Sequence, residues 1–101
     1  MADDDAAAQG EAGGLSAVQA AVRAREQIVA LTGHPAQTVS SVQFDGDRWH
    51  VTVELLELER IPASTDVLGT YTGVLDGDGA LVEYRRVERY LRSQSSGSEA
   101  P

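Results

Sequence analysis

The stretch Trp49-His50-Val51-Thr52-Val53-Glu54-Leu55-Leu56-Glu57-Leu58-Glu59-Arg60-Ile61-Pro62 constrains the fold more than any other part of this chain. Val51, Val53 and Leu55 alternate with His50, Thr52 and Glu54, the period of a strand with one buried and one wet face. The alternation then slips, because Leu55 and Leu56 are adjacent and the apolar side passes to Leu56 and Leu58. One extra residue in a β ladder reverses the facing of everything beyond it. A bulge at Leu55/Leu56 therefore lets Val51, Val53, Leu56 and Leu58 share one buried face. A strand from Trp49 to Arg60 at the usual rise would span about 40 Å, long enough to require a bend. Pro62 ends it, since proline cannot donate to a ladder and holds its predecessor extended.

A helix precedes this strand and two further strands follow it. Leu15 to Thr32 carries Leu15, Val18, Ala21, Val22, Ile28, Val29 and Leu31 on a broad stripe at helical spacing. Gly33 suits a left-handed C-cap, and Pro35 prevents continuation. Arg25 falls near the middle of that stripe. There it either snorkels to water or pairs with a sheet carboxylate, Glu54 or Glu57. Val39 to Phe44 reads as a short first strand, and Asp45-Gly46-Asp47 as a tight turn into Trp49. Val67 to Leu75 is a third strand in which Gly69 and Gly73 permit close approach of the helix or a neighbouring side chain. Asp76-Gly77-Asp78-Gly79 is a second hairpin turn, and Ala80 to about Arg92 a fourth strand. Tyr84, Val87 and Leu91 also satisfy helical spacing, but a strand is preferred directly after a hairpin turn. The expected fold is α+β, with one N-terminal helix packed across a four-stranded antiparallel meander.

The chain of 101 residues has room for one domain, expected over 15–92. Residues 1–14 are Ala/Asp/Gly-rich and 93–101 Ser/Gly-rich, so both read as disordered tails that bury too little apolar surface to fold. The formal charge of −8 argues against a nucleic-acid binder working through bulk charge. All eight bases are arginine, a bias that a GC-rich genome explains more simply than selection for bidentate contacts. The absence of cysteine removes disulfides, thiolate metal sites and thiol nucleophiles. Nothing resembles a signal leader or a membrane span, so a cytoplasmic location is expected.

No combination of residues makes a convincing catalytic site. Asp45/Asp47 and Asp76/Asp78 have the opening of a calcium loop, but Ala80 and Leu81 stand where the second pair of requirements falls after Asp76, and a turn is the simpler reading. Glu54, Glu57 and Glu59 suggest a glycosidase pair only if two of them face one cleft about 5 to 9 Å apart. His34 and His50 without cysteine do not make a zinc site. No catalytic, cofactor-binding or metal residue is assigned. The most uneven charge is Arg85, Arg86, Arg89 and Arg92 interleaved with Tyr84 and Tyr90. Such a cluster binds nucleic acid, pairs with the chain's own strand glutamates, or docks an acidic partner.

The run Trp49, Val51, Val53, Glu54, Glu57, Glu59-Arg60-Ile61-Pro62, Asp66-Val67-Leu68, Tyr71, Leu75-Asp76, Asp78-Gly79 and Tyr84-Arg85-Arg86-Val87 through Arg89-Tyr90 to Arg92, with Leu31-Thr32-Gly33 before it, resembles the gas vesicle protein O family. The likeness spans roughly Ala21 to Arg92 and departs at Gly73 and Val74, where the family pattern is bulkier and more acidic. It implies a cytoplasmic, non-enzymatic accessory protein of gas vesicle formation. Association with the vesicle itself is left open. The resemblance also implies contacts with other gas vesicle proteins, accessory or shell, or in some lineages a role in vesicle gene expression. On this reading Arg85, Arg86, Arg89, Tyr90 and Arg92 are the candidate partner-binding residues, and no cofactor is expected.

Overall fold

A computed structural model describes residues 14–94. Helix α1 (Ala17–Thr32) is followed by strands β1 (Ala36–Phe44), β2 (Trp49–Leu58), β3 (Val67–Leu75) and β4 (Leu81–Leu91). The strands form one antiparallel sheet in the order β1-β2-β3-β4. The expected α+β meander is the observed fold, and the segment from Tyr84 onward is strand. The expected tails fall almost wholly outside the described residues. At the C-terminal margin Arg92–Gln94 forms a short 3-10 turn.

Local chemistry explains the element ends. The Ser16 hydroxyl accepts from the Gln19 backbone N–H, and the Gln19 side chain accepts from the Ser16 N–H, a capping box that starts α1 two residues later than the apolar pattern suggests. Gly33 closes the helix at φ 79°, its N–H donating to the Val29 carbonyl. In both hairpin turns one aspartate arranges the backbone. Asp45 Oδ1 accepts from the N–H groups of Asp47 and Arg48, and Asp76 Oδ1 from those of Asp78 and Ala80. These turn carboxylates are therefore spent on the backbone. Both titrate below the ordinary carboxylate range, Asp45 at about 2, because a carboxylate accepting N–H bonds is stabilised in its charged form.

The core lies between α1 and one face of the sheet. Ala20, Ala24 and Ile28, a strict i, i+4, i+8 row, are fully buried, and with Leu15 they meet Trp49, Val51, Val53, Leu55, Tyr71 and Leu75. This corrects the expected helix stripe. Val18 and Leu31 are exposed, and Arg25 lies on the solvent side of the row. The alanines win the interface because they let the helix axis sit close to the sheet. Gly73 serves the same end from below: a Cβ there would lie 3.0 Å from Ile28 Cδ1. One flank of α1 is tied to the second hairpin, where Gln27 donates to the Gly79 carbonyl and accepts from the Leu81 N–H, both at 2.9 Å. Trp49 packs on Phe44 with centroids 4.6 Å apart, and its buried indole N–H has no acceptor among the described residues. Burying an indole contributes roughly 4 kcal/mol or more, which exceeds the roughly 1–3 kcal/mol cost of one unpaired donor.

The phase slip in β2 is real but lies further along than the Leu55/Leu56 doublet suggests. Trp49, Val51, Val53 and Leu55 all face the helix in unbroken alternation, whereas Leu56 is half-buried and Leu58 exposed. The ladder to β3 runs Leu55↔Gly69, Leu56↔Leu68, Leu58↔Val67, so Glu57 is the unpaired residue. The strand also ends at Leu58, short of Arg60, since Arg60 turns away to donate its N–H to Asp66.

Candidate functional site

Alternation from Leu55 puts Glu57 on the helix side, where a core residue belongs, and the bulge leaves it without a partner in the ladder. The Glu57 side chain is 4% exposed on the helix side of the sheet, lying over Gly69, whose missing side chain makes the space. Tyr71 Oη donates to Glu57 Oε2 at 2.6 Å. Arg86 Nη1 approaches Glu57 Oε1 at 3.0 Å and Arg89 Nε at 3.3 Å. The ladder explains the convergence: Tyr71 lies opposite Arg86 and Gly69 opposite Arg89, so all of these project from one face. Two cations and a phenol offset the cost of burying one carboxylate. Burial and the Glu57 hydrogen bond push the Tyr71 phenol up to about 12.

A second cluster occupies the open face. Glu54 accepts from Thr70 Oγ1 at 2.7 Å, Tyr90 Oη at 2.8 Å and Ser40 Oγ at 3.1 Å, binding β1, β2, β3 and β4 together through neutral donors. Burial and this bond raise the Tyr90 phenol to about 12.

The third cluster is centred on Asp66, 3% exposed. Its Oδ1 accepts the Arg60 N–H at 2.8 Å, and its Oδ2 accepts Arg92 Nε and Nη2 at 3.2 and 3.1 Å. Arg92 also donates to Gln37 Oε1 at 2.9 Å, so Asp66 ties the β2–β3 loop to the end of β4 and the start of β1. The Arg60 N–H and Arg92 hold the Asp66 carboxyl below its ordinary value.

These contacts place each residue singled out in the sequence. Arg25 is exposed and is brought to neither Glu54 nor Glu57; the cations on Glu57 come from β4 instead. The physical reasons are two: the rotation of α1 onto its alanine row turns Arg25 away from Glu57, and Glu54 lies on the opposite, open face of the sheet. Of the β4 cluster, Arg86 and Arg89 grip Glu57, Tyr90 donates to Glu54, and Arg92 is held by Asp66. Only the Arg85 side chain makes no hydrogen bond or ion pair among the described residues. It lines a groove of about 530 Å³ on the open face with Arg48, His50, Thr52, Thr72 and Glu83. Acids and bases mix along that groove, so no ligand of one charge is singled out. His50 Nε2 lies 2.8 Å from Asp45 Oδ2 and serves the first turn. Asp66 and Tyr71 stand in the sequence only as members of the family pattern, with no role attached, and Gln27 carries no sequence signal; the partners of all three are remote along the chain.

The polar clusters are thus interior braces of a small helix-on-sheet scaffold, and no group of three or more His, Cys, Asp or Glu residues among the described residues is arranged to hold a metal ion. No described helix is long and apolar enough to cross a membrane. The family model described as gas vesicle synthesis protein GvpO matches residues 3–96, and the chain belongs to that family. It is 44% identical over 72 residues to gas vesicle protein O of Streptomyces sp. (strain CB03234), covering 71% of this chain and 56% of that protein. It is 36% identical over 80 residues to gas vesicle protein O of Haloferax mediterranei, covering 78% of this chain and 56% of that one. With gas vesicle protein O1 of Halobacterium salinarum it shares 33% identity over 73 residues, 72% of this chain and 61% of the relative. The chain therefore spans somewhat over half the length of these relatives. No solved structure matches it.

Proposed function

We propose that this chain is a non-enzymatic accessory factor of gas vesicle formation, acting in the cytoplasm through contacts with other gas vesicle proteins, and that the margin formed by β4 is its contact surface. One observation carries this reading: every residue from Val82 to Arg89 on this edge strand is exposed, including Val82, Tyr84 and Val87. An edge that displays apolar and aromatic side chains beside an arginine whose side chain has no partner among the described residues suits protein docking. Charge weighs against nucleic acid as the partner. The chain carries −8, and Arg86, Arg89 and Arg92 already face carboxylates.

The test uses Arg85, because reversing Arg86 or Arg89 would place a second carboxylate against buried Glu57 and disturb the fold. Arg85→Glu in a vesicle-forming host is expected to abolish or sharply reduce vesicles while the purified variant keeps its circular dichroism spectrum. Normal vesicle numbers with a folded Arg85→Glu protein would overturn the assignment of this margin. Binding to DNA or RNA at low salt, lost with an Arg85→Glu change, would turn the reading towards gene regulation.

A further inference from the structure

We propose that the free edge of β4 pairs antiparallel with β4 of a second copy, about a two-fold axis passing between Arg86 and Val87, so that two four-stranded sheets become one of eight. This inference rests on the reading of β4 as the contact margin and names the first partner of its backbone edge. The open faces of the joined sheets remain free for other proteins.

The argument begins with a register irregularity. β4 pairs with β3 as Thr70↔Glu88 and then Tyr71↔Arg86, leaving Val87 as an extra residue. Facing therefore changes parity at Val87. Tyr84, Arg86 and Arg89 lie opposite Gly73, Tyr71 and Gly69 on the helix side. Glu83, Arg85, Glu88 and Tyr90 lie opposite Val74, Thr72, Thr70 and Leu68 on the open side.

Two strands related by a two-fold axis normal to the sheet must set same-facing residues opposite one another. In a regular strand those residues have numbers of equal parity. Across the Val87 bulge they have opposite parity. The register centred on the bulge sets Arg85 against Glu88, Tyr84 against Arg89 and Glu83 against Tyr90, each pair occurring twice by symmetry. That gives two opposite-charge pairs on the open side and two arginine–aromatic contacts on the helix side, with a carboxylate beside a phenol further out.

Neighbouring registers are excluded by charge. Sliding the partner by two residues one way opposes Glu83 with Glu88 twice; sliding it the other way opposes Arg86 with Arg89 twice. Like charges directly opposite are destabilising, so the register centred between Arg86 and Val87 is favoured over both of these neighbours. The exposed Val82, Tyr84 and Val87 lie along the edge that this pairing shelters.

Sedimentation velocity and light scattering on the full chain over a range of concentrations test the proposal. The wild type is expected to approach twice the mass of one chain as concentration rises. Arg85→Glu and Glu88→Arg should each weaken the dimer by about tenfold or more, since each replaces two attractions with two repulsions. The double variant R85E/E88R exchanges the charges and should restore the dimer. A wild type that stays monomeric throughout, a folded Arg85→Glu that dimerises unchanged, a folded double variant that does not recover, or open-ended polymers through the other sheet edge would each overturn the proposal. Vesicle production separates it from the functional reading. A monomeric Arg85→Glu protein that still supports vesicles upholds the dimer and removes the assigned role of the margin. A monomeric wild type whose Arg85→Glu variant abolishes vesicles removes the dimer and upholds the margin.

Discussion

Tyr71 Oη donates to Glu57 Oε2 across 2.6 Å, joining a core aromatic of β3 to the bulged residue of β2. The bond lies on the helix side of the sheet, where the side chain of Glu57 is 4% exposed. Glu57→Ala strips Tyr71, Arg86 and Arg89 of their shared acceptor, and leaving a buried hydroxyl unpaired costs about 1–3 kcal/mol. The variant is expected to lose about 2–4 kcal/mol in urea unfolding, the arginines contributing less because they are half-exposed. Removing Tyr71's hydroxyl as well, in Tyr71→Phe, should cost less than the sum of the two single changes; additive costs would show that the contact carries no coupling.

Gly69 is fixed by the same contact. A Cβ there would overlap the Glu57 carboxylate and lie 2.9 Å from Tyr71 Cε1. Gly69→Ala should destabilise by about 1–3 kcal/mol, against the small gain that alanine usually brings to a strand. In the background of Glu57→Ala the penalty should shrink, because the overlapping group is gone. An unchanged penalty in a thermal melt would point to the Tyr71 ring instead.

Alkali should unfold the domain through its tyrosines. Tyr71 and Tyr90 titrate at about 12, above the usual value near 10, since burial and the adjacent glutamates oppose the phenolates. A raised folded-state value means that the contribution is complete below about pH 10 and is lost as pH rises from there through about 12. Ultraviolet absorbance should show phenolate formation delayed into that window and coincident with loss of near-ultraviolet dichroism. Early ionisation in a folded protein would contradict the two hydrogen bonds.

Acid should act through Asp45 and Asp66. Both are held below the ordinary carboxylate range, Asp45 at about 2 by the Arg48 N–H and His50, Asp66 by the Arg60 N–H and Arg92. Depressed values mean that their contribution is present above about pH 4 and is lost as pH falls through the folded-state values, down to about 2 for Asp45. Asp66→Asn removes the charge at neutral pH, and its melting temperature should drop by several degrees. The variant should also flatten the acid limb of the wild-type stability curve, which thermal melts between pH 2 and pH 6 would resolve.

Arg25→Gln should be nearly silent, within about 0.5 kcal/mol, because Arg25 is exposed and contacts neither sheet carboxylate. Ala24→Arg, one position earlier, should prevent folding, since Ala24 is completely buried against the sheet. A large loss for Arg25→Gln would restore the earlier reading of the helix face.

The sequence by itself determined the element order, the two aspartate-glycine turns, the glycine end of the helix, and membership of the gas vesicle protein O pattern. Each of these depends on chemistry within a few residues, or on an ordered series of residue types. Tertiary structure decided the rest. The helix stripe is broad and rich in alanine on several sides, so its rotation was settled by the fit of Ala20, Ala24 and Ile28 against the sheet. The bulge fell at Glu57, beyond the adjacent leucines, because there its carboxylate reaches Tyr71, Arg86 and Arg89 over Gly69. The arginine-rich strand spends most of its cations inward for the same reason: partners 29 and 26 residues away, for Arg86 with Glu57 and Arg92 with Asp66, meet only once the sheet has formed.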